Sequence, residues 1–108
     1  MIAGAAAASE QQSVMPLYHA ILTCGGLTDS EAANAPADIV EEFGHRPWHQ
    51  NVKCRWDGRL LWLEADNDYD PDGKALLDEF GDAVVACVNA AGTIRFEIVS
   101  VDPVAVGA

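Results

Sequence analysis

The sequence predicts a single α+β domain, one mainly antiparallel sheet with two short helices on one of its faces. Three observations carry this. Asp57-Gly58 lies between two runs of alternating apolar and polar residues, a strong two-residue hairpin signal. Pro36 to Gly44 and Pro71 to Gly81 each open on a proline and close on a glycine, as short helices do. These two segments also form a weak internal repeat, each set between a strand and a Cys-bearing run.

Taken in chain order, residues 17 to 23 suit a strand ended by Gly25-Gly26, and Thr28-Asp-Ser-Glu31 is a capping box that starts a helix near Asp29. Pro36 interrupts that helix and restarts it, Ile39, Val40 and Phe43 give it an apolar stripe, and Gly44 stops it. Pairing outward from Asp57-Gly58 sets Trp56 opposite Arg59, Cys54 opposite Leu61 and Val52 opposite Leu63 on the core face. Lys53, Arg55, Leu60, Trp62 and Glu64 fall on the other face, with Trp62 opposite Lys53.

A second helix is expected from Pro71 to Phe80, with Gly81 as its stop. Residues 83 to 88 then read as a β-rich strand, and 93 to 101 as a half-buried one. The resulting order, β-α-β-β-α-β-β, describes a ferredoxin-like β-α-β-β-α-β sheet with an extra C-terminal strand. In that plan the loops after the first and third strands emerge side by side. Gly25-Gly26 would sit near Asp66, Asp68 and Asp70, a loop edge suited to a small molecule.

A chain of 108 residues makes one core. Residues 15–108 are expected to form it, after a disordered Ala-rich tail over 1–14, and Met15 is an alternative start. The net charge of -11 argues against nucleic acid and anionic membranes, themselves polyanions, and favours a basic protein partner or a cation. No stretch reaches transmembrane length, and the first residues lack the basic and apolar regions of a secretory leader. Three cysteines without a C-x-x-C spacing read as reduced thiols, which points to the cytoplasm.

Charge is unevenly spread. Arg46, Lys53, Arg55 and Arg59 stand against one acid, Asp57, within residues 46 to 59, whereas 64 to 82 hold eight acids and one base. Inside that acidic run, Asp68 to Glu79 fills the pattern D-x-D-x-D-G-x5-E. The segment resembles the calcium loop of the EF-hand family over these twelve residues. The resemblance implies a calcium cage drawn from Asp68, Asp70, Asp72, the Lys74 carbonyl and Glu79, with Gly73 at the sharp turn. A competing reading comes from the residues themselves. Asp70 is a good N-cap and Pro71 a good first helical residue, so the carboxylates would satisfy helix N–H groups instead.

His19, His45, His49 and the cysteines show no zinc spacing, since Pro47 breaks the one i,i+4 histidine pair. No Cys/His pair carries an orienting motif, so an enzyme is not expected. Trp62 flanked by Lys53 and Arg55, with Leu60 adjacent and Trp48 just ahead of the strand, has the composition of an interface anchor. Base stacking by the same residues is disfavoured by the overall charge. The sequence therefore supports a cytoplasmic, homodimeric, acidic binding or inhibitor module that acts through protein–protein contacts. Its alternatives are a divalent-cation protein using Asp68–Glu79 and a small-molecule binder at the loop edge.

Overall fold

The computed structural model describes residues 17–104; the tail and start-site expectations lie outside them. Four strands, β1 (Leu17–Gly25), β2 (Gln50–Trp56), β3 (Leu60–Asn67) and β4 (Arg95–Val104), form one antiparallel sheet in the order β2-β3-β1-β4. A single helical turn, α1 (Asp29–Ala32), and the helix α2 (Ala35–Phe43) join β1 to β2, and α3 (Lys74–Cys87) joins β3 to β4.

Alternation along the central strands decides which face is covered. Ala20, Leu22 and Cys24 of β1 and Leu61, Leu63 and Ala65 of β3 are fully buried against Ile39 and Phe43 of α2 and Leu76, Phe80 and Val84 of α3. Each large side chain so buried contributes about 1.5–3 kcal/mol. The intervening residues, among them His19, Ile21, Thr23, Trp62 and Glu64, form the opposite face, on which no helix packs among the described residues.

The first helical region follows its sequence signals. Thr28 Oγ1 accepts the Glu31 N–H at 3.2 Å and Glu31 Oε1 accepts the Thr28 N–H at 2.9 Å, a complete capping box. Pro36 then sits in the first turn of α2, and Gly44 caps its end.

The second helical region departs from them. Residues 83 to 88 are not a strand: α3 runs without a break from Lys74 to Cys87, and no fifth strand exists among the described residues. Leu76, Phe80, Ala83, Val84 and Cys87 recur at helical spacing, and Ala83 and Val84 are both buried, which a half-exposed strand cannot achieve. Gly81 is tolerated inside the helix because packing outweighs its low propensity. The start also moves, from Pro71 to Lys74. Gly73 precedes it with φ +77°, and a Cβ there would lie 2.9 Å from Val101 Cγ2, so only glycine fits this approach to β4.

The hairpin keeps its faces but shifts its register. Trp56 pairs with Leu61, Cys54 with Leu63, and Arg55, not Lys53, with Trp62. The two-residue loop is Gly58-Arg59, closed by the Asp57 N–H donating to the Leu60 carbonyl at 3.1 Å. Gly58 has φ +95°, so glycine occupies the first central position of the turn. Asp57 is the last paired residue because its carboxylate accepts the N–H groups of Arg59 and Leu60 at 2.8 and 2.7 Å. A shift of two residues preserves the alternation, so the core face is the one the sequence pattern predicts.

Candidate functional site

The acidic loop is organised by its own backbone. Asn67 Oδ1 accepts the N–H groups of Tyr69 and Asp70 at 3.2 and 2.9 Å. The two oxygens of Asp70 accept the N–H groups of Ala75 and Leu76, at 3.2 and 2.9 Å, and Asp72 Oδ1 accepts that of Lys74 at 3.1 Å. These are the orphan donors of the first turn of α3. The Lys74 N–H bond holds the Asp72 carboxyl below its ordinary range. Because the helix begins at Lys74, Glu79 lies more than one turn along it, at about 3.6 residues per turn. Asp68 is exposed at the loop tip. Among the described residues no group of three or more His, Cys, Asp or Glu side chains is placed to hold a metal ion.

Glu79 instead anchors a cluster that the sequence did not suggest. Its Oε2 accepts from His49 Nε2 at 2.8 Å and from the Tyr69 hydroxyl at 3.0 Å, and its Oε1 lies 3.1 Å from Arg46 Nε. Burial works to raise the Glu79 pKa, but the bonds from His49 and Tyr69 outweigh it and the net shift is downward. Burial, with Glu79 adding to it, pushes the Tyr69 phenol up to about 12. Trp48 packs beside His49, with ring centroids 6.1 Å apart. It therefore sits at this cluster, while Trp62 belongs to the sheet.

The sheet face opposite the helices holds the other candidates. Leu60, Trp62, Lys53 and Arg55 share it, as the alternation predicts. The Arg55 guanidinium stacks over the Trp62 ring, 4.7 Å from its centroid, and Trp62 Nε1 donates to Asp57 Oδ2 at 2.8 Å. With the Leu60 N–H, the Trp62 bond and the Arg59 N–H all directed at it, the Asp57 carboxyl is held down at about 2.

Charge on this face is divided along the strands. At the Gly25 end stand Arg55, Arg59 in the turn, and Arg95, which pairs with Gly25, together with the carboxylates Asp57 and Glu97. At the Leu17 end, His19 faces Asp66 on β3 and Asp102 on β4, with Glu64 and its β2 neighbour Lys53 one step inward. His19 Nδ1 lies 2.6 Å from Asp66 Oδ1 and its Nε2 3.0 Å from Glu64 Oε1, while Asn51 Nδ2 donates to Asp66 Oδ2 at 2.9 Å. The two His19 contacts join residues more than forty positions apart and depend on strand register, so no local motif announces them.

The loop edge expected at Gly25-Gly26 has a different neighbour. β1 and β3 are antiparallel, with Gly25 opposite Leu60 and His19 opposite Asp66. The glycine pair therefore lies beside the hairpin turn, at the opposite end of the sheet from Asp66, Asp68 and Asp70. All three cysteines are free thiols; burial pushes Cys24 up to about 11 and Cys54 to about 12, which keeps them protonated and unreactive. No helix of the described residues is long and apolar enough to cross a membrane. No protein-family model, curated protein or solved structure matches the chain.

Proposed function

We propose that this chain is an acidic protein-binding module whose working surface is the uncovered face of the sheet, and that a second copy of the chain occupies it. The observation that carries this reading is the excess of arginines toward one end of that face and of carboxylates toward the other, with the Arg55–Trp62 stack between its centre and the arginine end. A two-fold axis lying in the interface and crossing the strands reverses the strand direction of one copy. Each basic end then meets the partner's acidic end, and Arg95 lies over Asp102 of the second copy. Such self-complementarity is what an isologous contact requires. Trp and Arg are the residue types that anchor interfaces.

The sheet plan behind this surface reads as ferredoxin-like, reduced to four strands. Two helical crossovers support that reading, each leading from a central strand to an edge strand past one neighbour. Self-association through the sheet leaves the helical layer outward, where Asp38, Glu41, Asp78 and Asp82 are exposed. That layer suits a basic protein, and opposite fields would speed its capture, as an inhibitor module needs. Light scattering tests the self-association directly: Trp62→Asp places a carboxylate within the contact and yields a monomer, whereas an unchanged mass counts against the reading.

A further inference from the structure

We infer that the cleft at the basic end of the sheet is a binding site for a small carboxylate or phosphate anion. The cleft encloses about 270 Å³ and is lined by Gly25, Gly26, Arg59, Leu60, Arg95 and Glu97. Three separate elements meet there: the end of β1, the β2–β3 turn and the start of β4.

Each lining group has a role. Gly25 forms a buried floor roofed by two side chains, since a Cβ on it would lie 3.2 Å from Leu60 Cδ2 and 3.7 Å from Arg95 Nη2. The Arg95 guanidinium therefore lies directly over that floor. Gly26, at φ +100°, turns the chain where a Cβ would meet the Thr93 carbonyl oxygen at 2.3 Å, so no side chain is accommodated there. Arg59 approaches from the turn.

Both arginines are exposed and, like Lys53, Arg55 and Lys74, make no ion pair among the described residues; they differ from those in lining the same cleft. The chain has 17 acids to 6 bases. Two guanidinium forks that line one cleft and are bonded to no carboxylate within the single chain's described residues are donors for an anion from solution. The volume falls just below the ordinary range for ligand pockets, roughly 300–1,000 Å³, so the ligand is compact. Glu97 on the wall disfavours an extended polyanion. It favours a carboxylate that also carries a donor, such as an ammonium group, with Leu60 against its carbon skeleton.

The site does not rest on self-association. The test is a titration of inorganic phosphate, acetate and glycine, separately, into the chain and into Trp62→Asp, following the backbone amide resonances of Gly25 and Gly26. The expected result is a saturable shift with at least one probe in Trp62→Asp, weakened about tenfold or more by Arg59→Ala or Arg95→Ala. Stronger binding of glycine than acetate, abolished by Glu97→Gln, identifies the donor-bearing class; stronger binding of phosphate identifies the other. Absence of any saturable shift up to about 10 mM probe, or shifts that survive replacement of both arginines, overturns the inference.

Discussion

The Arg55 guanidinium lies 4.7 Å from the centroid of the Trp62 ring, and the indole N–H is committed to Asp57 at 2.8 Å. The ring is thereby fixed at both its face and its edge, on a sheet surface that no helix covers among the described residues. A rotamer fixed in this way loses little entropy when a partner covers it, which is what an interface anchor requires. Arg55→Ala is expected to weaken self-association by about 0.5–2 kcal/mol while leaving the melting temperature of the monomer nearly unchanged. Concentration-dependent sedimentation read beside a thermal melt separates the two effects. A loss confined to the melt would assign the stack to the fold alone.

The basic and acidic ends make a second, sharper prediction. Arg95→Asp should weaken the dimer, and Asp102→Arg should do the same. Together they exchange the charges and should recover a large part of the loss, because each protomer then offers the reversed pair. Additive losses in the double variant would place the two residues far apart in the assembly.

His19 gives the fold a pH dependence of defined sign. Its pKa is raised above 6.5 chiefly by the bond to Asp66, with burial opposing and Glu64 assisting. Asp102 faces it from β4 and Lys53 stands beyond Glu64 on β2. A histidine raised in the folded state contributes its stabilisation fully below 6.5 and loses it as pH climbs through the raised value. With the ring about one-third exposed, solvent screening limits the effect to about 1 kcal/mol or less. Unfolding free energy should therefore fall from pH 6 upward, and His19→Gln should remove that slope. An unchanged slope in the variant would trace it to another group.

The acidic segment is expected to behave as a helix cap. Asp70→Ala leaves the N–H groups of Ala75 and Leu76 without their acceptor and should cost about 0.5–2 kcal/mol. Millimolar calcium should leave the melting temperature where a chelator leaves it. A rise with calcium, lost in Asp70→Ala, would restore the cage reading. Asn67 argues the same way: its oxygen is held by two backbone N–H groups, so the group left unpaired among the described residues is the amide nitrogen, a donor that binds no cation.

Gly81 tests the extent of α3. A Cβ on it would meet only Phe96 Cζ, at 4.0 Å, which is ordinary contact. Gly81→Ala should raise stability by about 0.5–1 kcal/mol in a chemical denaturation experiment. Destabilisation would mean that the helix ends there after all.

Legibility in the sequence divides by range. The capping box at Thr28, the restart at Pro36 and the turn near Gly58 are local devices, each satisfied within a few residues, and each was readable. A carboxylate before glycine suits a turn, which points to Asp57 as a loop residue. Its side chain instead serves the two N–H groups beyond the glycine, and the register moved by two. Val84, Val85 and Val88 favoured a strand by composition, and only the joint burial of Ala83 and Val84 against the sheet settles the helix. The Glu79 cluster and the His19–Asp66–Glu64 contacts lay beyond reading, since they follow from how elements are aligned and carry no spacing of their own.

Self-association through the uncovered face is the central claim, and the mass of the native chain beside Trp62→Asp by light scattering tests it most directly. Twice the 11.5 kDa chain mass is expected for the native protein and the single-chain mass for the variant, with matching far-ultraviolet circular dichroism. A native monomer, or a dimer that survives Trp62→Asp, would contradict it.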